Sequence, residues 1–99
     1  MGKPKYYWYG IVKTMIMNAP KHSPNESEQL AKINEAMVDA SDYIKTLPNG
    51  DLRMKAVDMI LIRQSKNYEG AAMELHYEAK TIQKWVSNYI YLVGRKAGY

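Results

Sequence analysis

Apolar residues recur along this chain at offsets of three and four, the period that gives a helix one buried face. Trp8, Ile11, Val12, Met15 and Ile16 form the first such stripe and predict a helix over Tyr6 to Met17. It should end near Asn18, because Pro20 disfavours helical dihedrals in the residue before it and has no N–H to continue the ladder. A second start follows in Ser23-Pro24-Asn25-Glu26. Ser23 suits the N-cap, Pro24 the first helical position, and Glu26 can bond back as a capping box. From there Leu30, Ile33, Met37, Ala40, Ile44 and Leu47 alternate spacings of three and four, a heptad stripe that Leu47-Pro48-Asn49-Gly50 stops. Asn-Gly is also a hairpin signal, but its flanks have helical period, which makes it an interhelical turn.

Asp51 can cap a third helix running to about Gln64, with Met54, Val57, Ile60 and Leu61 inward. Two further elements follow closely. Tyr68 to Leu75 carries Ala71, Ala72 and Leu75 on one side, and Ala79 to about Arg95 carries Ile82, Trp85, Val86, Tyr89, Ile90 and Val93 at helical offsets. Gly94 and Gly98 weaken the last turn and predict a frayed tail over Ala97 to Tyr99. The pattern is that of an all-α protein, a small helical bundle of about five helices ending in a helix-turn-helix. Residues 1–99 read as a single domain, with N-terminal helices over 1–47 and the helix-turn-helix part over 48–96.

The chain has 99 residues, 46% apolar and 24% charged, ordinary values for one compact domain and too few residues for a deep cleft between two lobes. Cysteine is absent, which removes disulfide scaffolds and thiol nucleophiles and fits a reducing compartment. No run approaches the roughly 18 apolar residues of a membrane span, so the expectation is a cytoplasmic protein without a membrane partner. The charge is uneven. The first 21 residues carry Lys3, Lys5, Lys13 and Lys21 without an acid, and residues 22–50 carry two lysines against five acids. The last 21 carry Lys80, Lys84, Arg95 and Lys96, again without an acid. Basic ends flanking an acidic middle suit a negatively charged partner, nucleic acid first, although a solvated surface has the same composition.

A helix-turn-helix needs a small residue where its helices cross, an apolar residue ending the first, a tight turn and an apolar anchor in the second. Ala72, Leu75, Tyr77 and Ile82 supply these, with Thr81 before the anchor and Trp85 one turn after it. If Ile82, Trp85, Val86 and Tyr89 face the core, then Lys80, Gln83, Lys84 and Ser87 project outward. Lysine reaches phosphate or guanine acceptors, glutamine can bond adenine bidentately, and the short Ala79 lets the helix start approach a groove. The candidate DNA-binding residues are therefore Ala79, Lys80, Thr81, Gln83, Lys84 and Ser87. The plain alternative is a helical corner with a solvated polar face.

From Leu47-Pro48 to Arg95-Lys96 the chain resembles region 4 of bacterial sigma factors, in the form found in phage-encoded regulators of the RinA and ArpU type. The resemblance lies in the Leu-Pro entry, the helix Arg53 to Arg63, the segment Asn67 to Leu75, and Thr81-Ile82-Gln83-Lys84-Trp85 leading into Val93-Gly94-Arg95-Lys96. It implies a phage or prophage transcriptional regulator that binds promoter DNA, with RNA polymerase as a further partner. The chain departs from such domains in the turn, where Tyr77 replaces a small aliphatic residue and Glu78 replaces a capping Ser or Asp.

Other features have ordinary explanations beside their functional ones. Tyr6-Tyr7-Trp8-Tyr9 can stack on bases next to Lys3 and Lys5, or cover the core of a chain with no Phe. The stripe containing Leu30, Ile33, Met37, Ala40 and Ile44 can pair with a second copy in a homodimer or dock on the first and third helices. His22 and His76 lack ligand-spaced companions, so no metal site is expected, and Asp39 and Asp42 read as a solvated pair. No nucleophile, phosphate loop or cofactor motif occurs, and neither enzymatic activity nor a cofactor is expected. Two other classes stay open: a small terminase-like DNA-packaging subunit, and a helical interaction module without a nucleic-acid role.

Overall fold

The computed structural model describes residues 7–19 and 28–99, with side chains in the second stretch from Ala31 onward. The helices are α1 (Tyr9–Asn18), α2 (Glu28–Lys45), α3 (Gly50–Val57), α4 (Tyr68–Leu75) and α5 (Ala79–Lys96), and a π-helical turn (Asp58–Ile62) extends α3. Among the described residues there is no strand. The fold is all-α, as the periodicity requires. The capping box at Ser23, Pro24 and Glu26 lies outside the described residues, as do Lys3, Lys5, Lys21, His22 and the side chain of Leu30.

The helix α5 organises the molecule, because α1, α2, α3 and α4 all pack against it. Its buried side is a continuous row of Ile82, Trp85, Val86, Tyr89, Ile90 and Val93. The stripe of α2 meets that row within the same chain: Ile33, Ala40 and Ile44 are buried, and Met37 lies at the edge of the core. A second copy therefore cannot reach those three side chains in this fold. Trp8, Val12 and Ile16 of the first element join the same cluster, so the segments 1–47 and 48–96 share one core.

Three local expectations give way. Ile11 is exposed, because α1 docks by the narrow line Trp8, Val12, Ile16 and Ala19, which leaves Ile11 on the outer flank. At the third helix, Asn49 rather than Asp51 stands at the N-cap, in a left-handed conformation (φ 61°) that asparagine tolerates, and Asp51 occupies the first turn, where its charge suits the helix dipole. In the π turn the Arg63 N–H donates to the Asp58 carbonyl five residues back, at 2.8 Å. The wider turn rotates the following residues relative to an α-helix. Along α3 and this turn Ala56, Val57, Met59 and Leu61 are buried, while Met54 and Ile60 lie at the core's edge.

The tail corrects a fourth expectation. Gly98 is left-handed (φ 95°), its N–H bonds Arg95 O at 3.1 Å, and the Tyr99 N–H bonds Gly94 O at 2.9 Å. These two bonds are the Schellman closure of a helix, which satisfies carbonyls that fraying would leave to water. The Tyr99 ring then lies 6.1 Å from that of Trp8, and its hydroxyl meets Met15 Sδ at 3.6 Å.

Candidate nucleic-acid interface

Two short connections place the helices that carry the candidate residues. Asn67 caps α4 by accepting the Gly70 N–H on Oδ1 at 2.8 Å. His76 ends α4 in the left-handed region (φ 62°), and Tyr77 N–H returns to Ala72 O at 3.0 Å. Three residues, His76, Tyr77 and Glu78, thus turn the chain from α4 into α5. The frame beneath them is apolar: Ala72, Leu75, Ile82 and Trp85 are all buried. Tyr77 packs its ring against Trp85 with centroids 4.9 Å apart, so the bulky turn residue serves as a cover on that indole. Glu78 precedes α5 without a side-chain capping bond, and its backbone carbonyl accepts from Thr81 and Ile82.

The six candidates do not share one open face. Lys80 and Lys84 are exposed, while Ala79, Thr81, Gln83 and Ser87 are half-buried. Ser87 turns toward α1, where its hydroxyl lies 3.0 Å from that of Tyr9. Gln83 and Lys80 line a cleft of about 380 Å³ between the starts of α4 and α5, together with Ala79, Asn67, Tyr68 and Glu69. The Glu69 carboxylate on this cleft and exposed Glu78 before it oppose phosphate at the helix start. Lys84 stands clear of that cleft.

What α5 presents to solvent is a ridge. Lys80, Lys84, Asn88, Tyr91 and Arg95 follow at offsets of four, four, three and four, so they stack along one side of the helix. All but the half-buried Tyr91 are exposed. The ridge spans roughly 22 Å at 1.5 Å per residue. Asn88 was not singled out in the sequence and Arg95 only as part of the basic end, although the same counting that finds Lys80 and Lys84 reaches them. Arg53 was missed for another reason. It approaches the ridge from α3, with its guanidinium 5.7 Å from the Trp85 ring centroid, and no spacing within one helix predicts a contact between helices.

No family model, no curated protein and no solved structure matches this chain. No helix among the described residues is long and apolar enough to cross a membrane.

Proposed function

We propose that this chain is a DNA-binding transcriptional regulator of phage or prophage type, with the first half of α5 entering the major groove of promoter DNA. The observation that carries this reading is the exposed Lys80–Lys84 pair on the second helix of a tightly turned pair, set on the buried frame of Ala72, Leu75, Ile82 and Trp85. The absence of any acid from residue 79 onward supports it, since phosphate neutralisation supplies the sequence-independent part of DNA affinity. The resemblance to sigma region 4 in phage regulators agrees with this placement and brings RNA polymerase as the second partner. Lys84 is the principal phosphate contact, Lys80 a second, and Gln83 the candidate base reader from the edge of its cleft. Ser87, held by Tyr9, orients α5 on α1 and is not assigned a base.

The test is affinity for duplex DNA as a function of salt. Replacing Lys80 and Lys84 by Ala together should lower the slope of log affinity against log salt by about 1.8, at ~0.9 per phosphate contact. An unchanged slope in a folded double variant removes both residues from the interface. Absence of any DNA binding by the wild type at low salt overturns the reading in favour of a protein-interaction bundle.

A further inference from the structure

Past Lys84 the ridge of α5 borders a cavity. The last turns of α2 contribute Tyr43, α3 contributes Arg53, and α5 contributes Trp85, Asn88, Leu92 and Arg95 to a space of about 330 Å³. That volume is at the lower end of the range of roughly 300–1,000 Å³ that small-molecule sites occupy. Its chemistry is lopsided. Two guanidinium groups and an amide line it, and no carboxylate does. Neither arginine pairs with an acid among the described residues.

Arg53 is the telling group. Its Nε is buried with no acceptor among the described residues, while its guanidinium plane is held by the Trp85 ring. A buried N–H without an acceptor is costly, and a charged one more so; because Nε itself is closed to solvent, an anion in the cavity would meet Arg53 through the rest of its guanidinium. Arginine also offers the forked donor geometry that carboxylate and phosphate oxygens match. Around these donors the walls are flat or apolar: the Tyr43 ring, Trp85 and Leu92.

We infer that this cavity binds a small organic anion, a planar ring carrying one carboxylate or phosphate. The anionic group lies on Arg53 and Arg95, with the Asn88 amide as third donor, and the ring lies against Tyr43 and Leu92. An inorganic phosphate would meet the arginines but leave the aromatic wall wet. A duplex backbone offers phosphates without a free ring for that wall. The inference is independent of DNA binding, because the site can be filled and measured with no nucleic acid present.

The experiment titrates the full chain, free of DNA, with phenyl phosphate, benzoate, phenol and inorganic phosphate. Calorimetry gives affinity, and two-dimensional NMR follows the indole N–H signals of Trp8 and Trp85, the two tryptophans. At least one ring anion should bind with one-to-one stoichiometry, shift Trp85 well beyond Trp8, and exceed both phenol and inorganic phosphate in affinity by about tenfold or more, the size of one charge-assisted hydrogen bond. The preference between phenyl phosphate and benzoate identifies the anionic group. Arg53→Gln should weaken binding by a similar factor. Arg95→Gln, at an exposed position that leaves the fold intact, should do the same. Inorganic phosphate binding as tightly as the ring anions, no Trp85 shift with either ring anion, or full affinity in Arg95→Gln would each overturn the proposal.

Discussion

Gly94 sits in the middle of a helix turn, where alanine would ordinarily add about 0.5–1 kcal/mol of stability. Here the usual sign reverses. A Cβ at Gly94 would run into the Trp8 ring, within 2.6 Å of Cη2 and closer still to Cζ3. Trp8 is itself 5% exposed and wedged by Tyr91 at 5.9 Å, so its ring has little room to retreat. Gly94→Ala should therefore destabilise the protein by about 1–3 kcal/mol in urea unfolding, the range of overpacked cores. A gain in stability would show that Trp8 does not occupy that notch. At the same scale Trp85→Ala should cost about 3–5 kcal/mol, since it removes the ring on which both Tyr77 and Arg53 rest. The burial of Trp85 was legible in its spacing from Ile82 and Tyr89. The notch was not, because glycine at position 94 carries no periodic signal and reads only as a weak helix former.

The elements divide by how local their causes are. The helices α4 and α5 begin and end within a residue of the sequence expectation, because their limits are set by nearby chemistry: the Asn67 cap and the left-handed His76. Removing the cap in Asn67→Ala should cost about 1 kcal/mol, measured by denaturant midpoint, through loss of the bond to Gly70 N–H. His76→Gly should act in the other direction, stabilising by about 0.5–1 kcal/mol once the side chain's penalty at φ 62° is relieved. A loss of stability in that variant would mean that the imidazole makes a contribution beyond the turn. The π turn after α3 was illegible for the opposite reason. Nothing local announces it; Met59 and Leu61 enter the core together, and the Gln64 amide reaches across to the Met17 carbonyl at 3.0 Å, so tertiary contacts hold the wide turn. The candidate interface shows the same division. Lys80 and Lys84 were readable from the phase of α5, whereas the tie between Ser87 and Tyr9 depends on where α1 docks.

Across the whole molecule, the buried Tyr89 and the half-buried Tyr68 tie stability to alkaline pH. Burial pushes the Tyr89 phenol above its ordinary value of 10.0, a rise only partly offset by its hydrogen bond to Ser41 at 3.3 Å, and burial raises Tyr68 with a smaller contribution from Tyr9. Both groups hold their protons longer folded than unfolded. Above pH 10 the unfolded chain binds fewer protons than the native one, so stability present below that pH declines as pH rises toward the folded values. Tyr89→Phe, which keeps the ring and removes the ionisable group, should flatten part of that decline when unfolding midpoints are compared between pH 9 and pH 11. An identical decline in the variant would assign the effect to other groups. The single core joining 1–47 to 48–96 was foreshadowed by the stripe of α2, which fitted intrachain docking as well as a dimer; a stripe specifies that a face is covered but not by what.

The contact between Trp8 and Gly94 also bears on how the protein comes into being. The indole is made some 86 residues before its seat. Until the last turns of α5 have left the ribosome, Trp8, Val12 and Ile16 have no partner surface on that helix, and of the main packing of α1 only that on α2 and the π turn is open to it. Closure between distant parts of a chain is slow compared with local pairing. Completion of the core is accordingly deferred until translation has passed residue 94, and the seat of Trp8 on α5 is the last part of it to close.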